Sequence, residues 1–333
     1  MFVVVQTDAA ASDRVVEDAV FAASGLDIEF RRVECRTEDD VLAACVDADA
    51  VIPAYAPFTR RVLAGLYRCR IVAVMATGHS CADLAAATEL GIVVTHVAGY
   101  CTAEVADHTL ALLLGLERNI APLSASVRRG LWDYEAAGKP DRLAGRTLGL
   151  IGFGRIGRAV ADRARAFGLV ILASDPYVNE TAMRRHGARP ASLDEVIACD
   201  IVSLHCALTD ETRGILSAAR LARMQPTAFL INTARGACID TDALVGMLQR
   251  GTIAGAALDV VEPEPLPAEH PLRALPNAIV TPHAAFLSRQ SEGEARERTC
   301  RQVVAALRGH VPADVANTDV LGRANCRLRG SDD

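Results

Sequence analysis

The stretch Arg146–Asp175, RTLGLIGFGRIGRAVADRARAFGLVILASD, restricts the fold more than any other part of the chain. Thr147 to Ile151 is a short apolar run suited to a buried strand, Gly152-Phe153-Gly154-Arg155-Ile156-Gly157 is a GxGxxG turn, and Arg158 to Phe167 has helical spacing. Strand, glycine turn and helix in that order make a βα unit whose turn cradles a pyrophosphate. Gly152 permits the tight turn, Gly154 lets backbone approach the phosphates, and Gly157 lets the helix pack close on the strand. The helix N-terminus adds unsatisfied amides and a partial positive charge. A second apolar run, Leu169 to Ala173, leads to Asp175, about 20 residues past the glycines, where a carboxylate bonds ribose hydroxyls and repels a 2'-phosphate. A dinucleotide site favouring NAD over NADP is expected, although Asp175 before Pro176 also reads as a strand-end turn residue.

On either side of this unit the pattern alternates between short apolar runs and helical spacing. Strands are predicted at Phe2–Val5, Ile28–Val33, Ala50–Pro53, Ile71–Met75 and Ile92–Thr95, with helices between them, which makes the first hundred residues a parallel βα domain without a phosphate fingerprint. Ala103 to Asn119 reads as a long apolar helix broken by Pro122, a candidate hinge. Beyond the glycine turn, strands at Ile201–Leu204, Ala228–Asn232, Gly255–Asp259 and Ala278–Thr281 alternate with helices at Ser192–Ala198, Ala218–Arg223 and Thr241–Arg250. Arg289 to Arg308 is an amphipathic helix that can return to the first domain, and the tail beyond Val315 is polar enough to be loose. The fold class is therefore α/β, with two Rossmann-like, doubly wound parallel-sheet domains. The expected division is 1–99 for the first part of a substrate domain, 100–286 for the dinucleotide domain, and 287–333 for the returning helix and tail.

Composition narrows the chemistry. With 333 residues, 51% hydrophobic, the chain has ample core for two domains. Its net charge of -6 and scattered arginines give no nucleic-acid stripe, and no apolar run is long enough to span a membrane. Lys139 is the one lysine, which excludes nearly all Schiff-base and P-loop schemes. Ten cysteines without a CxxC pair read as reduced thiols of a cytoplasmic protein, and the histidines show no metal-ligand spacing.

Three later stretches put polar side chains at strand ends: Asn232-Thr233-Ala234-Arg235-Gly236, Leu258-Asp259-Val260-Val261-Glu262-Pro263-Glu264-Pro265 and Thr281-Pro282-His283-Ala284-Ala285. Ligands of open α/β sheets bind beyond the carboxyl ends of the strands, so these loops are expected to face the cofactor. Arg235 offers a planar, permanently charged fork for a carboxylate and an adjacent carbonyl oxygen. His283 can give a proton to a carbonyl oxygen or take one from a hydroxyl, and Glu264 would favour its imidazolium and fix its ring. Singly, these residues are equally readable as a surface ion pair, a solvated acid and a turn histidine. Asp259 either holds a carboxamide or caps a strand.

Read together and in order, GFGRIGRAVADRARAFG, SDPY, HCALTDETRG, INTARGACID, GAALDVVEPEPL and TPHAA resemble the NAD-dependent D-2-hydroxyacid dehydrogenase family, which includes phosphoglycerate, glycerate and D-lactate dehydrogenases and the CtBP corepressors. The GAALDV and TPHAA segments look most like the CtBP-like branch. The resemblance implies a homodimer, with the cofactor domain inserted into the substrate domain. It implies that Arg235 binds a small 2-oxo acid and that His283, paired with Glu264, is the acid/base of hydride transfer with NAD. It further implies that Arg155 and Ile156 meet the pyrophosphate, Asp175 the ribose, and Thr233 and Asp259 the nicotinamide side. The family's GxDNxD substrate loop here reads Gly78-His79-Ser80-Cys81-Ala82-Asp83. Amides around Thr77, Gly78 and His79 would hold the carboxylate, with His79 and Ser80 adding contacts. A second function implied by the same branch is an NAD-sensing dimeric binding protein.

Overall fold

Five short runs, four of them rich in Val, Ile and Ala, build the first sheet: β1 (Phe2–Gln6), β2 (Ile28–Arg32), β3 (Ala50–Ile52), β4 (Ile71–Ala73) and β5 (Val93–Thr95). All pair in parallel, in the order β2-β1-β3-β4-β5. β3, β4 and β5 are buried along their whole length, as parallel strands covered on both faces must be. The computed structural model describes residues 1–8 and 13–328.

The second sheet has seven parallel strands: β6 (Thr147–Ile151), β7 (Val170–Ser174), β8 (Ala188–Pro190), β9 (Ile201–Leu204), β10 (Phe229–Asn232), β11 (Gly255–Leu258) and β12 (Ala278–Val280). Their order is β12-β11-β10-β9-β6-β7-β8. The chain moves outward from β6 through β7 and β8, then crosses to β9 on the other side of β6. The strand order therefore reverses between β6 and β9, and the crevice beyond their carboxyl ends is where such sheets bind ligands. By contacts the chain divides into Met1–Tyr100 with Ser288–Asp333, and Cys101–Leu287.

Several expectations are corrected. Pro122 does not break the apolar helix: Thr102–Glu117 ends before Asn119, which takes a left-handed conformation (φ 51), and Pro122 sits in the first turn of a second helix, Ile120–Arg128. A proline there sacrifices no helical hydrogen bond. The two helices diverge by 63°. No single helix among the described residues is long and apolar enough to cross a membrane. β8 and the helix Glu180–Arg185 went unpredicted.

The tail beyond Val315 is not loose as far as Leu328. Asn317 is buried, accepts the Val94 amide (2.8 Å) and donates to the Ile92 carbonyl (2.9 Å). Val320, Cys326 and Leu328 join the core beneath β4 and β5, each large apolar side chain so buried contributing about 1.5–3 kcal/mol. Arg327 donates to the carbonyls of Leu66 (2.5 Å) and Cys69 (3.0 Å). Polar composition misled here because the polar groups bond backbone, not water. The helix Arg289–Leu307 packs on Val15–Ser24, and its buried Arg296 meets both oxygens of Glu17 at 2.8 and 2.6 Å. Leaving either charge alone in that core would cost several kcal/mol, roughly 3–5.

Candidate active site

The glycine turn has the geometry its sequence requires. Gly152 has φ +92, and a Cβ on it would press into the Cys206 amide at 2.6 Å. A Cβ on Gly157 would lie 2.5 Å from the Gly152 carbonyl, so the helix Arg155–Ala164 can approach β6 only with glycine there. Gly154 differs: a Cβ on it would meet nothing within 4 Å of the protein. Internal packing does not demand that glycine, whereas close approach of a ligand to its backbone does. No side chain caps the helix, so its N-terminus, flanked by exposed Arg155 and half-buried Ile156, is presented to an anion. These residues fit a dinucleotide pyrophosphate.

Asp175 lies at the end of β7, beside the turn. One carboxylate oxygen accepts the Phe153 amide at 2.7 Å and the other the Tyr177 amide at 2.9 Å. The acid therefore braces the glycine turn. His205, after β9, is pushed down to about 3 by burial and remains a neutral imidazole bonded to Ser203 at 2.9 Å.

Arg235, Glu264 and His283 come from the loops after β10, β11 and β12. His283 Nδ1 is 2.8 Å from Glu264 Oε2, and Glu264 Oε1 accepts the Val261 amide at 3.0 Å. Burial raises the Glu264 pKa, but the His283 hydrogen bond and charge, the Val261 amide and the Arg235 charge outweigh it and hold the carboxyl below its ordinary value. The carboxylate is thus ionised at neutral pH and favours a protonated partner. Gly236 makes this convergence possible, since any Cβ there would overlap the Val261 carbonyl, and so the Arg235 loop lies directly on the Glu264 loop.

Each loop is braced by a buried polar residue. Asn232 accepts the Ala234 amide and donates to the Arg235 carbonyl, both at 2.9 Å. Asp259 accepts from Thr281 Oγ1 (2.6 Å) and from the amides of Ala284 and Ala285 (2.9 Å each). Its own carbonyl accepts the His283 amide at 2.8 Å. These bonds hold His283 in a left-handed conformation, φ 53, which a non-glycine residue adopts only when its surroundings enforce it. His108 Nε2 completes the group, 3.1 Å from Thr281 Oγ1 and 3.5 Å from Asp259. Thr233 is buried, with its hydroxyl 3.0 Å from that of Thr109. The bracing roles of Asn232, His108 and Thr109 escaped sequence reading. Their one signal is position, beside or facing a strand end that carries a charged residue.

In the first unit, Thr77, Gly78 and His79 follow β4. The Thr77 carbonyl accepts from His96 Nδ1 at 2.7 Å, and the His79 and His96 rings meet edge to face, centroids 5.5 Å apart. Asp83 caps the helix Leu84–Glu89 through the Ala86 amide. Asp8, unremarked in the sequence, gathers the amides of Ala54, Tyr55 and Ala56 at 2.8, 2.6 and 3.2 Å. Among the described residues no group of three His, Cys, Asp or Glu is arranged to hold a metal ion.

Comparison with known proteins adds to this geometry. Residues 110–285 match the family model for the D-isomer specific 2-hydroxyacid dehydrogenase, NAD binding domain. A glyoxylate reductase of Korarchaeum cryptofilum is 38% identical over 282 residues, covering 83% of this chain and 84% of that one. Among solved structures, the TT0316 protein of Thermus thermophilus superposes with a TM-score of 0.86 at 37% identity, covering 95% of this chain and all of that one. A D-lactate dehydrogenase of Aquifex aeolicus, solved with NAD and lactic acid, gives 0.84 at 28% identity over 94% of this chain and 99% of that one. Matched by sequence along most of its length and by fold along nearly all of it, the chain belongs to the NAD-dependent D-2-hydroxyacid dehydrogenase family.

Proposed function

We propose that this dehydrogenase reduces a small 2-oxo acid with NADH, with glyoxylate foremost among its substrates, and that Arg235, Glu264 and His283 do the work. The observation that carries the proposal is the His283 Nδ1–Glu264 Oε2 bond of 2.8 Å beside Arg235, in a chain 38% identical to a glyoxylate reductase. In this reading Gly152, Gly154, Arg155, Ile156 and Gly157 receive the pyrophosphate, Asp175 the ribose, and Thr233 and Asp259 border the nicotinamide. Bound there, the nicotinamide supplies the hydride. The Arg235 fork holds the carboxylate and polarises the neighbouring carbonyl. With Nδ1 committed to Glu264, His283 delivers its proton from Nε2 to the carbonyl oxygen, and the ring is neutral until solvent recharges it. The reverse direction uses the same atoms, with Nε2 taking the hydroxyl proton. Thr77, Gly78 and His79 are assigned to the substrate as well, their amides to its carboxylate.

Absorbance at 340 nm with glyoxylate, hydroxypyruvate, pyruvate and phosphonate-bearing 2-oxo acids, with NADH and NADPH in parallel, tests this reading. Turnover with at least one acid, faster with NADH, is expected. NADH binding without turnover on any acid would sink it and favour the NAD-sensing binding protein. The dehydrogenase reading is preferred because the relative and the D-lactate dehydrogenase neighbour compared above carry reductase and dehydrogenase names.

The same proposal takes the protein as a cytoplasmic homodimer. Ten free thiols support the reducing compartment. An exposed apolar row, Ile120, Val127, Leu131, Trp132 and Tyr134, supports self-association, with Trp132 92% exposed, an unusual state for the side chain that buries most apolar area. Trp132→Asp is expected to elute as a monomer in size-exclusion chromatography with light scattering, where the wild type elutes as a dimer. A variant that still elutes as a dimer would move the interface elsewhere.

A further inference from the structure

The glycine turn after β6 has a loop on each side of it. In the sheet β6 lies between β7 and β9, so the Asp175 loop after β7 and the turn after β9 are its two flanks. One side chain joins them. The Tyr177 amide donates to Asp175 Oδ1 at 2.9 Å, and its phenol donates to Glu211 Oε2 at 2.6 Å. Tyr177 is 81% exposed, so apolar packing is not what brings it to Glu211.

Glu211 is held in place by its own turn. Thr212 Oγ1 accepts the Thr209 amide at 2.8 Å and donates to the Ala207 carbonyl at 2.6 Å. The Arg213 amide donates to the Thr209 carbonyl at 2.9 Å, and the Gly214 amide ties the turn to the Ala237 carbonyl at 2.8 Å. From Ala207 to Gly214 the turn carries two acids, Asp210 and Glu211, against one base, Arg213, whose charge is felt at Cys238. The hydrogen bond to Glu211 and its charge, then slight desolvation and the Asp175 charge, raise the Tyr177 phenol above its ordinary value. Two acids from opposite flanks of the glycine turn thus act on one tyrosine.

We propose that Glu211 is a second specificity residue for the cofactor, an acid that acts with Asp175 against any dinucleotide bearing a 2'-phosphate on its adenosine ribose.

The proposal rests on the assignment of that ribose to Asp175. A 2'-phosphate adds about 1.5 to 2 negative charges at neutral pH, where NADH has a neutral hydroxyl. Both oxygens of Asp175 already accept backbone amides, which offset part of its charge. Glu211 faces no such backbone donors among the described residues; its hydrogen bond there comes from a phenol. It therefore presents the less compensated of the two charges. The Coulomb repulsion adds to that of Asp175 and leaves NADH untouched.

Dissociation constants for NADH and NADPH are measured by fluorescence titration of the full-length protein, without substrate, for the wild type, Glu211→Gln, Glu211→Arg and Asp175→Asn. Glutamine keeps the shape of the side chain and can still accept the Tyr177 phenol, so it separates the charge from the clasp. Glu211→Gln is expected to tighten NADPH about three- to tenfold while NADH stays within about twofold, the scale of unit charges several ångströms apart in water. Glu211→Arg, which reverses the charge, should tighten NADPH by roughly the square of that factor. Both gains should shrink in about 1 M salt, where the screening length falls to about 3 Å. A Gln variant with an unchanged ratio of NADPH to NADH affinity, or one that weakens both cofactors alike, would overturn the proposal. Asp175→Asn tells that failure from failure of the ribose assignment. A ratio that moves in Asp175→Asn and not in Glu211→Gln removes Glu211 alone, and a ratio that moves in neither removes the assignment of the ribose to Asp175 as well.

Discussion

Replacing His283 with alanine is expected to lower kcat by about 10²–10⁴-fold, the range for loss of a positioned general acid. NADH affinity should change little, because the dinucleotide is assigned to the turn after β6, while His283 stands after β12. Stopped-flow fluorescence of NADH binding and steady-state turnover separate the two. Full activity in the variant would remove His283 from the chemistry. Glu264→Gln is the finer probe: the side chain keeps its shape and can still bond His283 Nδ1, but the charge that favours the imidazolium is lost. An intermediate loss of kcat is expected. The sign of the pH effect follows from the depressed Glu264 pKa. The wild-type carboxylate is ionised at neutral pH, and its charge is lost as pH falls through that depressed value, below the usual carboxylate range. The Gln variant has no such acid limb.

Arg235→Lys should also be damaging, though it keeps the charge. Lysine is a point donor that cannot grip a carboxylate and a carbonyl together. Each lost charge-assisted bond is worth about 1.5–3 kcal/mol, so kcat/KM should fall on the order of 10- to 100-fold. Because the positive charge near Glu264 persists, the acid limb of the pH profile should hold its place, whereas Arg235→Ala would move it upward. A lysine variant with unchanged kcat/KM would assign the carboxylate to another residue.

The glycine turn and the three loops after β10, β11 and β12 were legible because they lie where hydrophobic period changes, and a change of period marks the end of a strand. What joins them was not. Nothing in the order of residues says that Gly236 rests on the Val261 carbonyl, or that Asn232 and Asp259 hold the backbone of Arg235 and His283. Such residues act singly, so they leave no periodic trace. β8 was hidden for a related reason: three residues ending in a proline pair with one edge of β7 and carry too little pattern to register. Asn317 shows the same limit, a polar residue in a polar stretch whose partners lie more than two hundred residues away.

That distance bears on synthesis. The Val94 amide waits for Asn317, and Glu17 for Arg296, so the opening hundred residues leave the ribosome with one side of their sheet uncovered. Chain growth through the whole of Cys101–Leu287 intervenes, on the order of tens of seconds at typical rates. The second unit, contiguous in sequence, can finish first, whereas the beginning of the chain is completed by its end. A truncation near residue 315 would therefore strike a sheet made well before it, and a nascent chain stalled there would be a natural client for a chaperone that shields unfinished sheets.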